Sequence, residues 1–361
     1  MNRLVAHRWL RGRLPGVRVG YLVYFANTRC EQDCRHCFIR PRADDALLTP
    51  AELASLGRKL RHLIQLTVTG GEPTLRSDLV DAVAALAGES NARFVSLHTN
   101  GFEPPRVERA VRGILGALPG ALLSVRLSLD AFGVRHDEIR RRSGSWDRAV
   151  DSLDRLVALR RGEPRLRLFV DTCLSAANQG ELADLRAFLD SKGEMLDGRE
   201  LIVLRGSPRD PRATVEAGAI PRALNDFAPV GRGEVALSLP EAARRELYRR
   251  KGRDGIDAAR GCVAGMHFAV LGADGEVAPC ETLWGDRGQA NVREQGLDLE
   301  RVLGTPRGRE QRARIARGEC AAGCTEECPA LASVVFSAGR MWKALLRSRG
   351  SVGDSARVVA G

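Results

Sequence analysis

Short apolar runs alternate along the chain with longer stretches in which apolar residues recur at helical spacing. VRVGYLVYFA (17–26) is β-branched and aromatic and predicts a first strand. LTPAELASLGRKLRHL follows, where Thr49 can cap a helix, Pro50 fits its first position and Glu52 completes a capping box. The alternation repeats with strand IQLTVTG (64–70), a helix over 77–86, strand ARFVSLHT (92–99) and a helix over 107–115. It continues with strand ALLSVRLSLD (121–130), a helix begun by Ser145, strand RLRLFVDTC (165–173), a helix over 181–189 and strand RELIVLR (199–205). Six βα-type units imply a parallel sheet covered by helices. Right-handed crossovers repeated this often give an α/β fold of the partial (β/α)6, TIM-like barrel kind.

The rest of the chain differs in texture. Residues 1–17 form a basic extension, with Arg3, Arg8, Arg11 and Arg13. Residues 18–205 hold the barrel, and 206–260 are rich in Pro, Gly and Arg before a capped amphipathic helix in ALSLPEAARRELYRRKG, so they read as a bridge. Residues 261–330 form a small cysteine-rich domain, in which MHFAVLGADGEVAPC reads as a β-hairpin around Asp274 and Gly275. Residues 331–361 are a helix and tail whose apolar residues recur at helical spacing among basic ones. A helix docked on the barrel is expected there rather than a membrane anchor.

Composition narrows the function. At 361 residues, 44% hydrophobic and 28% charged, the chain is large enough for two cores and too apolar for disorder. No apolar run is long enough to cross a bilayer and none of signal-peptide length follows the basic start, so a cytoplasmic location is expected. In a reducing compartment nine cysteines are metal ligands or free thiols rather than bridges, and their odd number agrees. The net charge of +11 comes from scattered arginines without interleaved aromatics, at 5% of residues, so binding of nucleic acid by base stacking is not expected.

Barrels of this kind place their chemistry at the C-terminal ends of the strands. The first strand delivers Cys30, Cys34 and Cys37, the second TGGEPTLR, the third HTNG and the fourth SLDAFG. Three thiolates on a short loop can bind three irons of a cubane and leave the fourth open. A zinc knuckle would want a fourth ligand, and His36, beside Cys37, is poorly placed to share its ion.

CEQDCRHC matches the CxxxCxxC signature of radical S-adenosylmethionine (SAM) enzymes, and TGGEP resembles their GGEP motif on the next strand. The resemblance implies a 4Fe-4S cluster on Cys30, Cys34 and Cys37 whose open iron is chelated by SAM, reduced to give a 5′-deoxyadenosyl radical. It further implies that Gly70 and Gly71 let the backbone approach the cofactor, and that Glu72 and Pro73 shape a turn facing its ammonium or tie down the loop. Thr99, Asn100 and Ser128 map onto cofactor-contacting strand ends, and Asp130 could serve the same pocket. Asn100 and Gly101 also read as a plain turn, and Ser128 as an ordinary polar strand end. His36 is expected to pack near the adenine. Arg140, in HDEIRRRSGSW, matches a family arginine, although Arg141 and Arg142 could equally offer a fork to a carboxylate.

The later cysteines resemble the SPASM and twitch auxiliary-cluster domains: Cys262 and Cys280 flank Gly275 in the family's spacing, and Cys320, Cys324 and Cys328 follow. Their number suits one auxiliary 4Fe-4S cluster on Cys262, Cys280 and two of the last three, with zinc as the other metal that thiolates would hold. Cys173 reads as a small buried residue at a strand end. The function implied is hydrogen abstraction from a ribosomal peptide or from a small molecule such as a sugar, alcohol or cofactor precursor, with a flavodoxin or ferredoxin as electron donor. Catalytic residues beyond the cofactor set are not assigned. A non-catalytic metal protein is the reading from another class, and the complete pair of motifs stands against it.

Overall fold

The computed structural model describes residues 16–41, 47–204, 208–216, 218–227, 262–284, 290–320, and 329, 332, 333, 335 and 336. The first half runs β1 (Tyr21–Phe25), α1 (Pro50–Lys59), β2 (Gln65–Thr69), α2 (Leu79–Ser90), β3 (Phe94–Thr99), α3 (Pro104–Ala117) and β4 (Leu122–Ser128). Then come α4 (Val134–Arg140), α5 (Ser145–Arg160), β5 (Leu166–Leu174), α6 (Leu182–Ser191), β6 (Gly198–Val203) and α7 (Ala219–Asp226). β7 (Phe268–Leu271), β8 (Val277–Ala278), α8 (Leu299–Leu303) and α9 (Pro306–Ala316) complete the described elements. The expected capping box opens α1, Thr49 accepting from the Glu52 amide and the Glu52 carboxylate accepting from that of Thr49.

One sheet organises these elements, in the order β6-β5-β4-β3-β2-β1-β7-β8. β1 to β6 pair in parallel, as a partial barrel requires, and β7 pairs in parallel with β1 before turning back antiparallel into β8. The cysteine-rich region therefore continues the barrel sheet through its hairpin instead of folding apart at residue 261, because the free edge of β1 offers an unpaired ladder.

Strand register sorts the side chains into two faces. Leu66, Val68, Val95, Leu97, Leu123, Val125, Leu127, Leu168, Val170, Leu201 and Val203 join helix residues such as Leu53, Leu56, Val83 and Leu86 in the main core. The opposite face is apolar at β1 and β7, where Tyr21, Val23, Phe25, Phe268 and Val270 cluster. Across β3 to β6 it is polar: Ser96 lies opposite Ser124, His98 opposite Arg126, and Asp171 between Ser128 and Glu200.

The charges on that floor are locked together. Arg126, 4% exposed, donates to both Asp171 oxygens at 2.8 and 2.5 Å and pairs with Glu200, while its guanidinium lies 5.0 Å over the Phe169 ring. Arg126→Met would leave two carboxylates buried without their cation, and a loss of about 3–5 kcal/mol is expected in urea unfolding. A triple variant that also carries Asp171→Asn and Glu200→Gln should recover most of it; no recovery would mean that the arginine acts through packing.

Candidate functional site

The cysteine loop leaves β1 and immediately meets the end of β2. Ala26 donates to Thr69, Gly71 to Asn27 and Glu72 to Arg29 through their backbones, at 2.7, 3.0 and 2.7 Å. A Cβ on Gly71 would fall on the Arg29 carbonyl, and one on Gly70, whose φ is +155°, would lie 2.4 Å from that of Asn27. The two glycines are thus small for the sake of the cysteine loop pressed against them, a demand beside the close approach of the cofactor that the resemblance implies.

Six further contacts seat the loop. Asp33 and Arg35 donate their amides to the carbonyls of Arg140 and Ile139 at the end of α4, and Arg209 and Asp210 donate theirs to Cys37 and Arg35. The Asp33 carboxylate takes Arg141 at 2.9 Å and Arg209 at 2.5 Å. The segment that follows β6 therefore clamps the loop as well as leading toward the cysteine-rich region.

Cys30, Cys34 and Cys37 line a cavity of about 210 Å3. Of the residues expected to meet the cofactor, His36, Gly70, Gly71, Glu72, Thr99, Asn100, Ser128 and Arg140 share its wall. Pro73 and Asp130 do not. Pro73 opens a 3-10 turn over 73–75, and Asp130, fully buried, works beneath the wall. Its carboxylate sits 2.8 Å from the Arg140 guanidinium and 3.7 Å from the His36 ring, and accepts from the Cys173 amide at 2.9 Å.

Glu72 ties strand ends together. It is 1% exposed and accepts from the Thr74 amide and hydroxyl, the Thr99 hydroxyl at 2.9 Å and the Asn100 amide at 2.8 Å. Burial, with the neighbouring Glu31 carboxylate, pushes its pKa up to about 7 against the pull of those donors.

The sulfurs have their own donors. The Asn100 side-chain carboxamide donates to Cys30 at 3.6 Å, the Gln32 backbone amide reaches it at 3.4 Å, and the Arg140 guanidinium reaches Cys34 at 3.8 Å. Burial pushes the Cys30 thiol to about 12 and the Cys34 thiol to about 11, so metal loading must expel their protons. Among the described residues no three Cys, His, Asp or Glu side chains converge as the ligands of a single ion would. A cubane instead takes each thiolate to a different iron. His36, whose Nδ1 is buried without a hydrogen-bond partner, lines the cavity and offers capacity that a polar cofactor would meet. The residues fit an iron-sulfur cluster with a charged organic ligand.

Two histidines nearby are held neutral. Burial lowers His36 to about 4 and His136, whose Nδ1 accepts from the Asp130 amide at 3.1 Å, to about 3. A depressed imidazole contributes stability that is present above its unfolded pKa of about 6.5 and lost as pH falls toward the folded value. The stability difference between wild type and His136→Asn is therefore expected to shrink by about 2 kcal/mol from pH 7 to pH 5 in urea titrations. An unchanged difference would mean that His136 titrates in the fold as it does in the unfolded chain.

The remaining wall comes from residues that the sequence reading left without a role or took as structural: Phe25, Thr67, Thr69, His98, Cys173 and Ile202, among others. His98 stands 3.7 Å from Asp171 through Nδ1 and so connects the cavity to the charged floor. The signal was present in FVSLHT and LLSVRLS, where Ser96 and His98, and Ser124, Arg126 and Ser128, alternate with apolar residues.

Of the later cysteines, Cys262, Cys280 and Cys320 pack in the same apolar group as Cys37, Phe38, Phe25 and Trp284, with the Phe25 and Trp284 rings 4.0 Å apart. Cys324 and Cys328 lie outside the described residues, as do most of the tail helix and the helix expected in the bridge. Phe336 is described and stacks on His267. Among the described residues no helix is long and apolar enough to cross a membrane.

Comparison with known proteins agrees with this geometry. Residues 25–164 match the model of the Radical SAM superfamily. The chain is 32% identical over 174 residues to a GTP 3',8-cyclase of Synechococcus elongatus, covering 44% of this chain and 48% of that one. It is 28% identical over 197 residues to the molybdenum cofactor biosynthesis protein 1 of Mus musculus, covering 51% of this chain and 28% of that one. It thus spans about half the length, or less, of these curated relatives. Among solved structures, Streptococcus suis SuiB bound to precursor peptide SuiA superposes with a TM-score of 0.60 at 14% identity, covering 92% of this chain and 74% of that one. Native anSMEcpe with bound AdoMet gives 0.57 at 13%, covering 92% and 98%. These two share the fold. The cysteine loop, the glycines that admit it and the parallel sheet behind them, over residues 25–164, are those of a radical SAM domain.

Proposed function

We propose that the protein is a radical SAM enzyme that takes a hydrogen atom from a peptide or small-molecule substrate. The observation that carries this reading is the sharing of one cavity by Cys30, Cys34 and Cys37 with Gly70, Glu72, Asn100 and Ser128. When bound there, a 4Fe-4S cluster and SAM supply one-electron cleavage of the sulfonium and a 5′-deoxyadenosyl radical. The chain's part is to hold and shield that chemistry. Asn100 and Arg140 direct donors at the sulfurs, which raises the reduction potential of such a site. The buried Glu72 keeps the ends of β2 and β3 in register beside them. Phe25, Phe38, Ile39, Ile202 and Leu204 give the wall an apolar portion that excludes water, and His98, Ser128 and Cys173 give it a polar one.

Whether the substrate is a ribosomal peptide or a small molecule, it must share this cavity with the cluster and SAM, so only the part of it that reacts needs to enter. A neighbouring gene for a short precursor peptide would favour the first, and its absence together with turnover of a sugar, alcohol or nucleotide would favour the second. An auxiliary cluster on Cys262, Cys280 and two of Cys320, Cys324 and Cys328 is supported by the spacing of these cysteines around Gly275 and by the place of the three described ones in one apolar group. We place the enzyme in the reducing cytoplasm, where free thiols persist.

Anaerobic reconstitution with iron and sulfide counting tests this reading. About eight irons are expected in the wild type and about four in a Cys30/Cys34/Cys37→Ala variant or in a Cys262/Cys280→Ala variant. About four falling to none in the first variant would remove the auxiliary cluster. No 5′-deoxyadenosine from reduced wild type would remove the enzyme.

A further inference from the structure

The outer side of the cysteine loop carries a dense group of arginines that the site itself does not use. Arg35 and Arg40 are exposed on the loop, Arg141 and Arg142 are exposed where α4 ends, and Arg212 is 88% exposed on the segment after β6. Backbone hydrogen bonds make these pieces one surface: Asp33 and Arg35 donate to the end of α4, and Asp210 donates to Arg35. The acidic residues within it are already engaged, Asp33 by Arg141 and Arg209, Asp210 by Arg212, and Glu138 by Arg135. A recess of about 250 Å3 opens there, lined by Arg35, Arg135, Arg212, Glu138, Ser175 and Asp210 among others.

Neither Arg35 nor Arg40 lines the cavity that holds the three cysteines. Arg209, which pairs with Asp33 of this face, does line it, so the face adjoins the cavity across the cysteine loop. Among the described residues the ring that meets one of these arginines, Phe102 under Arg142, is buried and offers no face on which a base could stack.

We propose that this arginine-rich face is the docking surface for an acidic one-electron carrier protein of the flavodoxin type. The inference rests on the radical SAM reading, which consumes one electron per cleavage. The carrier loses one electron and the metal site behind the loop gains it, with no proton or group transferred. Complementary charge of this kind acts chiefly on the rate of encounter and is screened by salt, with a Debye length of about 10 Å at 0.1 M.

The test compares two reductants on the reconstituted enzyme: reduced flavodoxin, and photoreduced 5-deazariboflavin, which is small and uncharged. With Arg35→Glu/Arg40→Glu, formation of 5′-deoxyadenosine driven by flavodoxin is expected to fall about tenfold or more, and that driven by deazariboflavin to change less than about twofold. Arg35→Gln/Arg40→Gln should fall between wild type and the reversal, which guards against a loop that misfolds when its charge is inverted. Flavodoxin binding by calorimetry should weaken in the same order and with added salt. Equal losses with both reductants would show that the arginines only support the loop and would overturn the proposal. Unchanged flavodoxin rates would also overturn it, and would leave the face for another polyanion such as an acidic peptide segment. Absence of cleavage by deazariboflavin in the wild type would instead sink the enzymatic reading itself.

Discussion

Cys34→Ala is expected to abolish reductive cleavage of SAM, a loss of at least about a thousandfold, beyond the 10–100-fold that removal of an outer hydrogen-bonding partner costs a metal site. Cys34 is 6% exposed, its sulfur is flanked by Gln32 and Arg140 at 3.8 Å, and Asp130 holds that arginine. The side chains within hydrogen-bond distance of its sulfur are a guanidinium and a carboxamide, neither of which can replace a thiolate. With one corner unheld, a cubane exposes two irons and loses the single open position at which the cofactor is chelated. Chromatography of 5′-deoxyadenosine, with iron counting on the same samples, decides the matter. Cleavage at wild-type rates in the variant would remove Cys34 from the ligand set.

Gly71→Ala is expected to be nearly as damaging, by a different route. The added methyl would meet the Arg29 carbonyl and the Thr28 carbonyl carbon, both backbone atoms, so no rotamer can relieve it. Either the end of β2 or the cysteine loop must move, breaking the Gly71–Asn27 and Glu72–Arg29 hydrogen bonds. Overpacking of this kind costs about 1–3 kcal/mol, and here the strain falls on the residue that precedes Cys30. The variant should fold, retain its auxiliary iron and fail to hold the first cluster, leaving about four irons with little SAM cleavage. Full iron content with normal cleavage would show that the loop accommodates the methyl. Gly57→Ala, at a helix packing point remote from the loop, separates general overpacking from this local effect.

The resemblance carried by CEQDCRHC and TGGEP led to the correct domain, and the strand ends it pointed to do meet at one cavity. The press of the cysteine loop on the glycines escaped the sequence because close approach is a relation between two segments, and the sequence shows only one of them at a time. Asp130 was misplaced for a similar reason. A carboxylate at a strand end can face the cavity or support its wall, and the outcome depends on α4 delivering Arg140 and the cysteine loop delivering His36 to the same point. The polar floor at Ser96, His98 and Arg126 was written in the period-two alternation, but it was read as short apolar runs.

What the sequence determined by itself was local: the βα alternation, the capping box at Thr49, the hairpin around Gly275, and three thiols spaced to reach three irons. Each depends on residues a few positions apart, within reach of a single turn or strand. Only the tertiary structure decided that β7 would extend the sheet beside β1, and that Arg126 would be shared between Asp171 and Glu200. It also gathered arginines from the cysteine loop, α4 and the segment after β6 onto one face. Those relations join residues far apart in the chain, and they follow from sheet pairing and charge burial, which have no sequence period.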